Sequence, residues 1–554
     1  MDADSRITQP DRVLRILVVL GLSSAFAMGQ GNVLIAKGRP LAVCSDGTRE
    51  GRWHEEDGSY VGRGDRNLLL ARVRPGGADF AVNLRLRVEA PASGAAVLIG
   101  EEWFTLADEE GHFAVEGPRL GRRKLGPSTC IDGHPSEVRI ARHAGTWSFD
   151  VDGQAILAAP VGDTDDIDRV GLWPQQATLR VEQFAIEGGI ALLDPRVATL
   201  ESGFSIPQID LAGENARQVL VDREAGQYLG HPTTVLLEDG RTMIAVYPKG
   251  HGKGAIVMKR STDGGRTWSD RLPVPASWAT SLEVPTIHRT VDREGHRRLI
   301  LFSGLRPIRR AVSEDDGRTW SELESIGGCG GIVAMGALER ARDGSYLAWF
   351  HDDGRYIAEG SKPQSPVRFT LYQVRSQDGG LTWNAPETIW SGTREHLCEP
   401  GVVRDPRSAT LALMLRENSR RFPSQVIFSD DDGVHWTAPV PMAGALTGDR
   451  HVARVAPDGS LVVTFRDTGP LSPTQGDWVI WVGSFQDLRD GTAGRFRARL
   501  MDNRHAWDCA YSGLELLPDG TFVATTYGHW TEGEPPYEMS VRFTLAELLA
   551  RAGL

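Results

Sequence analysis

Ser261-Thr-Asp263-Gly-Gly265-Arg-Thr267-Trp268, Ser313-Glu-Asp315-Asp-Gly317-Arg-Thr319-Trp320, Ser376-Gln-Asp378-Gly-Gly380-Leu-Thr382-Trp383 and Ser429-Asp-Asp431-Asp-Gly433-Val-His435-Trp436 are four copies of one octet, S-x-D-x-G-x-T-W. They recur every fifty to sixty residues or so, and a repeat of that period dictates architecture. Ser and Asp side chains cap their own turn by bonding nearby backbone N–H groups. Gly supplies a backbone with φ > 0, and Trp plugs a gap between neighbouring units.

A second repeat gives the number of units. Apolar strands are joined by tight turns at Glu238-Asp239-Gly240, Arg293-Glu294-Gly295, Arg342-Asp343-Gly344, Asp405-Pro406-Arg407, Pro457-Asp458-Gly459 and Pro518-Asp519-Gly520. Such turns between apolar runs are strong hairpin signals. Six turns predict six four-stranded blades, the last two without the octet. The octet itself is the Asp-box of the sialidase-like propellers, and four copies in register identify the fold expected from residue 226 to 548. The expected class is therefore all-β: a six-bladed β-propeller preceded by a β-sandwich (jelly-roll) domain.

The bulk composition agrees with a turn-dense all-β protein. The chain has 554 residues, 40% hydrophobic and 24% charged, with 63 glycines. A net charge of −12 argues against a nucleic-acid partner, and an anionic substrate would need a local cluster of arginines. Residues 1–29 read as a signal peptide or an N-terminal anchor: Arg12 and Arg15 precede an apolar run ending near Ala25-Phe26-Ala27. Export to the periplasm, cell surface or medium follows from that reading. No other segment approaches membrane length. Five cysteines are too few for a disulfide scaffold, although Cys44 and Cys130 are available to pair. No zinc-type Cys/His spacing, phosphate-cradling loop or dinucleotide fingerprint is present, so no cofactor or metal is called for.

Residues 31–190 alternate differently, as in Phe80-Ala-Val-Asn-Leu-Arg-Leu-Arg-Val88 and Ser136-Glu-Val-Arg-Ile140. With Thr146-Trp-Ser-Phe-Asp-Val151, Val170-Gly-Leu-Trp173 and Leu179–Phe184, the stretch resembles a concanavalin-like jelly roll. It is read either as a carbohydrate binder or as a spacer. Residues 191–225 link the domains and are expected to supply a ring-closing strand. Leu545–Ala552 alone reads as a helix.

A propeller builds its site from one or two residues per blade. Trp507-Asp508-Cys509-Ala510-Tyr511-Ser512-Gly513, leading into a Leu-x-x-Leu-Pro-Asp-Gly hairpin, resembles the sialidase segment that carries the nucleophilic tyrosine, which implies Tyr511. A neutral phenol, unlike a carboxylate, is not repelled by an anionic sugar, but it needs a base. His396-Leu-Cys398-Glu399-Pro400-Gly401-Val-Val403 resembles the family's Glu-Pro-x-Val-Val strand and implies Glu399 as that base. Arg416 matches one arginine of the family's carboxylate-gripping triad, and Arg466 occupies the comparable strand of blade five.

The resemblance breaks at blade one. Tyr228-Leu-Gly230-His231-Pro232 stands where the family has Arg-Ile-Pro, and Tyr247-Pro-Lys249-Gly-His251-Gly-Lys253 lacks the acid/base aspartate. Replacements are expected among Glu283 and His251 for proton transfer. Lys249, His231, Asp353, Arg450, His451 and Asp508 are candidates for substrate binding. The leading functional reading is a sialidase-type glycoside hydrolase removing a terminal acidic sugar. A same-fold hydrolase or lyase acting on another sugar, and a non-catalytic glycan-binding protein, remain alternatives.

Overall fold

A computed structural model describes residues 32–41, 43–45, 53–64, 68–89, 94–108, 110–131, 133–161, 167–192, 204–469, 472–505 and 507–554. The segment read as a signal or anchor lies outside them, as does the side chain of Cys44. No helix among the described residues is long and apolar enough to cross a membrane. The chain forms two units that divide between Leu193 and Asp194.

The first unit is a pair of antiparallel sheets, nine- and seven-stranded, enclosing one core. Its longest strands, Phe80–Glu89, Ser136–His143 and Thr178–Glu187, alternate buried and solvent-facing residues as the period-two pattern requires. Trp147, Phe149, Phe104 and Phe113 fill the centre. Cys130 is a free, buried thiol, its pKa pushed up to about 11 by burial.

The second unit is the propeller. Its six innermost strands are Thr233–Leu236, Thr286–Val291, Ile332–Arg340, Leu397–Arg404, Gly448–Val455 and Gly513–Leu516. Each touches the next, and the last touches the first, so the ring is closed. All six anticipated turns join a first strand to its second. The blades are not uniformly four-stranded, however. In blade one the fourth strand is reduced to two backbone bonds, Ser269 N–H to Arg260 O and Leu272 N–H to Met258 O. Blade five gains a fifth strand, Gln208–Asp210, running parallel to Phe496–Met501. Gln218–Asp222 completes blade six against Tyr537–Thr544, so the segment read as a linker closes the ring.

The octets do what their chemistry requires. In the first, Asp263 Oδ1 accepts from the N–H groups of Arg266 and Thr267, both at 3.0 Å, while Ser261 Oγ accepts from Gly265 N–H at 2.8 Å. The Trp rings wedge between blades: Trp436 of blade four meets Trp349 of blade three at 5.9 Å, and Trp383 of blade three meets Phe302 of blade two at 5.9 Å. Leu545–Ala552 is helical as expected. A second helix, Phe485–Asp490, was not expected; its signal was the capping box formed by Ser484 and Asp487. Of the propeller's cysteines, Cys329 and Cys509 lie in loops and Cys398 in a strand.

Because paired strands are antiparallel, the start of each first strand and the end of each second strand share one face of the disc. The octets, which follow third strands, lie at the opposite face. Chemistry-bearing residues cluster at the first of these faces.

Candidate active site

Glu399 sits near the start of Leu397–Arg404, where the register with the second strand slips between Cys398 and Gly401. That bulge holds Glu399 at φ +50° and re-aims its side chain. Blade five repeats the device: the register slips between Asp449 and Val452, with Arg450 at φ +55°. Asp508, Ala510 and His231, which precede the innermost strands of blades six and one, are also left-handed, at +74°, +62° and +59°. The backbone is thus bent at four blade entrances around a single centre.

At that centre Tyr511 donates its hydroxyl proton to Glu399 Oε1 at 2.6 Å. Arg416 Nη1 donates to both, at 2.7 Å to Glu399 and 2.6 Å to the phenolic oxygen. Tyr511 and Glu399 are more than nine-tenths buried. Burial pushes the Tyr511 phenol well above its ordinary pKa, partly offset by the Arg416 and Arg466 charges. Burial also works against the Arg416 charge, but Asp449 and Glu399 outweigh it and hold its pKa well above the usual value. The guanidinium of Arg466 covers the Tyr511 ring, 5.4 Å from its centroid.

The organising group beneath is Asp449, which is fully buried. It accepts from Arg420 Nη1 at 2.5 Å and Nη2 at 2.8 Å, and from Arg466 Nε at 2.9 Å, while Arg416 Nε lies 3.2 Å away. Burial alone would raise its pKa, but the three guanidiniums drive it well below the carboxylate range. From the sequence, Gly448-Asp449-Arg450-His451 is expected to open blade five and to point into the basin, but Asp449 and Arg420 are not singled out as site residues there; the signal is Asp449 near the start of an innermost strand.

Arg450 is buried without an ion pair among the described residues. Its Nη2 donates to Gly336 O at 2.9 Å, and its Nη1 has no hydrogen-bond partner. Glu283 lies beside the His251 loop, its Oε1 accepting from Val284 N–H at 2.8 Å. Burial, together with the nearby Glu399 charge, lifts its pKa to about 7.

Asp508, His231 and His251 form a second group against the first. Asp508 accepts hydroxyl protons from Tyr228 and Tyr527, each at 2.9 Å, and lies 3.3 Å from His251 Nδ1. The His231 ring meets Tyr511 at 4.8 Å and Tyr527 at 4.5 Å. Burial holds His231 neutral, with its pKa lowered to about 3. Tyr228 and Tyr527 were not anticipated as site residues: Tyr228 opens the stretch that departs from the family's Arg-Ile-Pro, and Tyr527 lies on the second strand of blade six, outside the motifs.

Three of the anticipated residues go elsewhere. Lys249 pairs with Glu224 at 2.9 Å, Asp353 pairs with Arg355 at 2.7 Å, and His451 is buried and donates from Nε2 to Leu446 O at 2.8 Å. None of the three touches the Tyr511–Glu399–Arg416 group.

No protein-family model matches the chain. A sialidase of Micromonospora viridifaciens is 26% identical over 314 residues, 49% of this chain and 44% of the relative, so the chain spans less than half the length of that protein. Among solved structures, a protein of unknown function from Dyadobacter fermentans aligns with a TM-score of 0.48 at 14% identity, covering 59% of this chain and 97% of the other. A variant NanB sialidase of Streptococcus pneumoniae aligns at 0.42 and 11% identity, covering 85% and 96%. A leech intramolecular trans-sialidase aligns at 0.41 and 13% identity, covering 86% and 95%. With its closed ring of blades, four repeated octets and this stretch of shared sequence, the chain is sialidase-like.

Proposed function

We propose that the protein is a glycoside hydrolase of the sialidase type, cleaving a terminal acidic sugar from a glycan. One observation carries the reading: the 2.6 Å bond from the Tyr511 hydroxyl to Glu399, with Arg416 bridging both oxygens. As the phenolic oxygen attacks the anomeric carbon, its proton passes to Glu399. Arg416 and Arg466 stabilise the negative charge that develops on the phenol. Glu283, with a pKa of about 7, protonates the departing oxygen and later takes a proton from the water that releases the sugar. Arg450, buried with an unpartnered Nη1, supplies the cation for the sugar's anionic group.

The test is release of the aryl group from a sialyl aryl glycoside, followed for the native chain and for Tyr511→Phe. Absence of turnover, or turnover that survives the substitution, overturns the proposal.

A second reading rests on Asp449. An internal carboxylate already engages the guanidiniums of Arg416, Arg420 and Arg466, so fewer donors are left for a substrate carboxylate. That favours a hydrolase or lyase of the same fold acting on a different sugar. Screening glycan pools for released products separates the two: products from sialosides alone exclude it.

A further inference from the structure

Beside Tyr511, two histidines and an aspartate from separate parts of the propeller point one donor atom each at a common space. His231 precedes the first strand of blade one, His251 lies on the loop after its second strand, and Asp508 enters blade six. Their ligand atoms all lie within 4.8 Å of one another. His251 Nδ1 and Asp508 Oδ1 are 3.3 Å apart. A tetrahedral site with metal–ligand bonds of about 2.0–2.2 Å sets its ligand atoms roughly 3.3–3.5 Å apart.

His529 flanks the same carboxylate. Its Nδ1 lies 3.1 Å from the carbonyl oxygen of Glu534, which can only accept, so Nδ1 carries the proton. Nε2 is the other ring nitrogen. That atom is buried, has no hydrogen-bond partner, and faces Asp508 Oδ2 at 3.6 Å. The carboxylate is meanwhile held in place by the Tyr228 and Tyr527 hydroxyls, as outer partners hold a ligating carboxylate.

We propose that His231, His251 and Asp508 bind one divalent transition-metal ion of the zinc type, with His529 turned toward the same carboxylate. Two imidazoles and one carboxylate suit zinc rather than calcium or magnesium, which prefer oxygen alone. Ligation through His231 Nε2 moves the ring proton to Nδ1 and exchanges two contacts for one metal bond: the 3.1 Å contact of Nε2 with the Tyr527 hydroxyl and the long 3.3 Å contact of Gly252 N–H with Nδ1. His251 is more than half exposed, which leaves a coordination position open toward the face that carries Tyr511. A sugar oxygen is the ligand that position suits.

The experiment uses the full chain, stripped with a chelator and dialysed. Zn²⁺ is titrated in by calorimetry, and Co²⁺ is followed by its visible absorption. The expected result is one equivalent bound per chain, weakened about 100-fold or more in His251→Ala and Asp508→Asn. His251 lies on an exposed loop, so its variant reports on the site even if Asp508→Asn misfolds. Tyr511→Phe binds the metal as the native chain does, which separates this proposal from the hydrolase reading. Affinity weaker than about 100 µM, or native-like binding in His251→Ala, overturns it.

Discussion

The Tyr511 hydroxyl and the Glu399 carboxylate lie 2.6 Å apart although 112 residues separate them in the chain. Two elements of the ring set this distance: the bulge that turns Glu399 inward from blade four, and the left-handed Ala510 just before Tyr511 at the entrance to blade six. The contact is shielded from water, so a proton moving between these oxygens meets little competition. Glu399→Gln keeps the shape but removes the basic oxygen. It is expected to lower kcat/KM by about 10²–10⁴ and also to lower the melting temperature, because the buried Arg416 loses an ionic partner; Tyr511→Phe is expected to lower kcat/KM by at least as much. Steady-state kinetics on the responsive aryl glycoside, alongside thermal melting, check both.

Asp449 concerns stability as much as chemistry. Three arginines converge on a fully buried carboxylate, and removing it leaves their charges facing one another. Asp449→Ala is therefore expected to destabilise the chain by about 3–5 kcal/mol, the usual cost of breaking a buried pair by removing one partner. Urea denaturation measures this. A loss below about 1 kcal/mol shows that the cluster is solvated or relaxes freely.

How far the fold was legible follows from the same geometry. The octets and the Asp-Gly turns are local: each makes its own hydrogen bonds within eight residues, so their spacing alone reveals repeating blades. The shortened fourth strand of blade one and the extra strand Gln208–Asp210 of blade five are not local, because they depend on how the ring closes on itself. The site divides in the same way. Tyr511, Glu399 and Arg416 stood in motif-bearing stretches, and the ring brings them together. Asp449, Tyr228 and Tyr527 carry no motif, and their roles arise only when entrances of different blades face each other. Lys249 is instructive: loop residues have no periodicity to say which way they point, and it turns to Glu224.

The octets face away from the site, which separates stability from activity. In blade three, Asp378 Oδ1 accepts from Leu381 N–H at 3.0 Å and Thr382 N–H at 2.9 Å, and its Oδ2 accepts from the Thr382 hydroxyl at 2.5 Å. Asp378→Ala leaves those donors to water on a half-exposed turn, at a cost of about 1–2 kcal/mol. The expected outcome is a lower melting temperature with kcat unchanged; a changed kcat contradicts the two-faced arrangement.

Glu283 sets an expectation for pH. With a pKa of about 7 it is protonated in mild acid and loses its proton around neutrality. As a proton donor it makes the rate fall as pH rises through about 7. Glu283→Gln cannot donate and is expected to abolish that alkaline limb while lowering the maximum rate. A pH–rate profile that keeps the limb near 7 in Glu283→Gln assigns the titration to another group.

Three buried histidines make stability depend on acid in a distinct window. Burial lowers the pKa of His231 and His351 to about 3 and that of His451 to about 4. In the unfolded chain each takes up its proton near the ordinary value of about 6.5. Between these values the unfolded state holds more protons than the folded one, so stability falls as pH falls. The loss starts near 6.5 and is complete once the pH lies below the folded values. At its steepest each histidine contributes about 1.4 kcal/mol per pH unit. Melting temperatures should therefore decline from about pH 6.5, above the range in which carboxylates such as Asp449 titrate. Substituting His451, which is fully buried against Phe465, with Asn should flatten that decline even though it lowers the melting temperature at neutral pH. A melting temperature that stays level from pH 6.5 to 5 means that these rings open to water or accept protons in the folded chain.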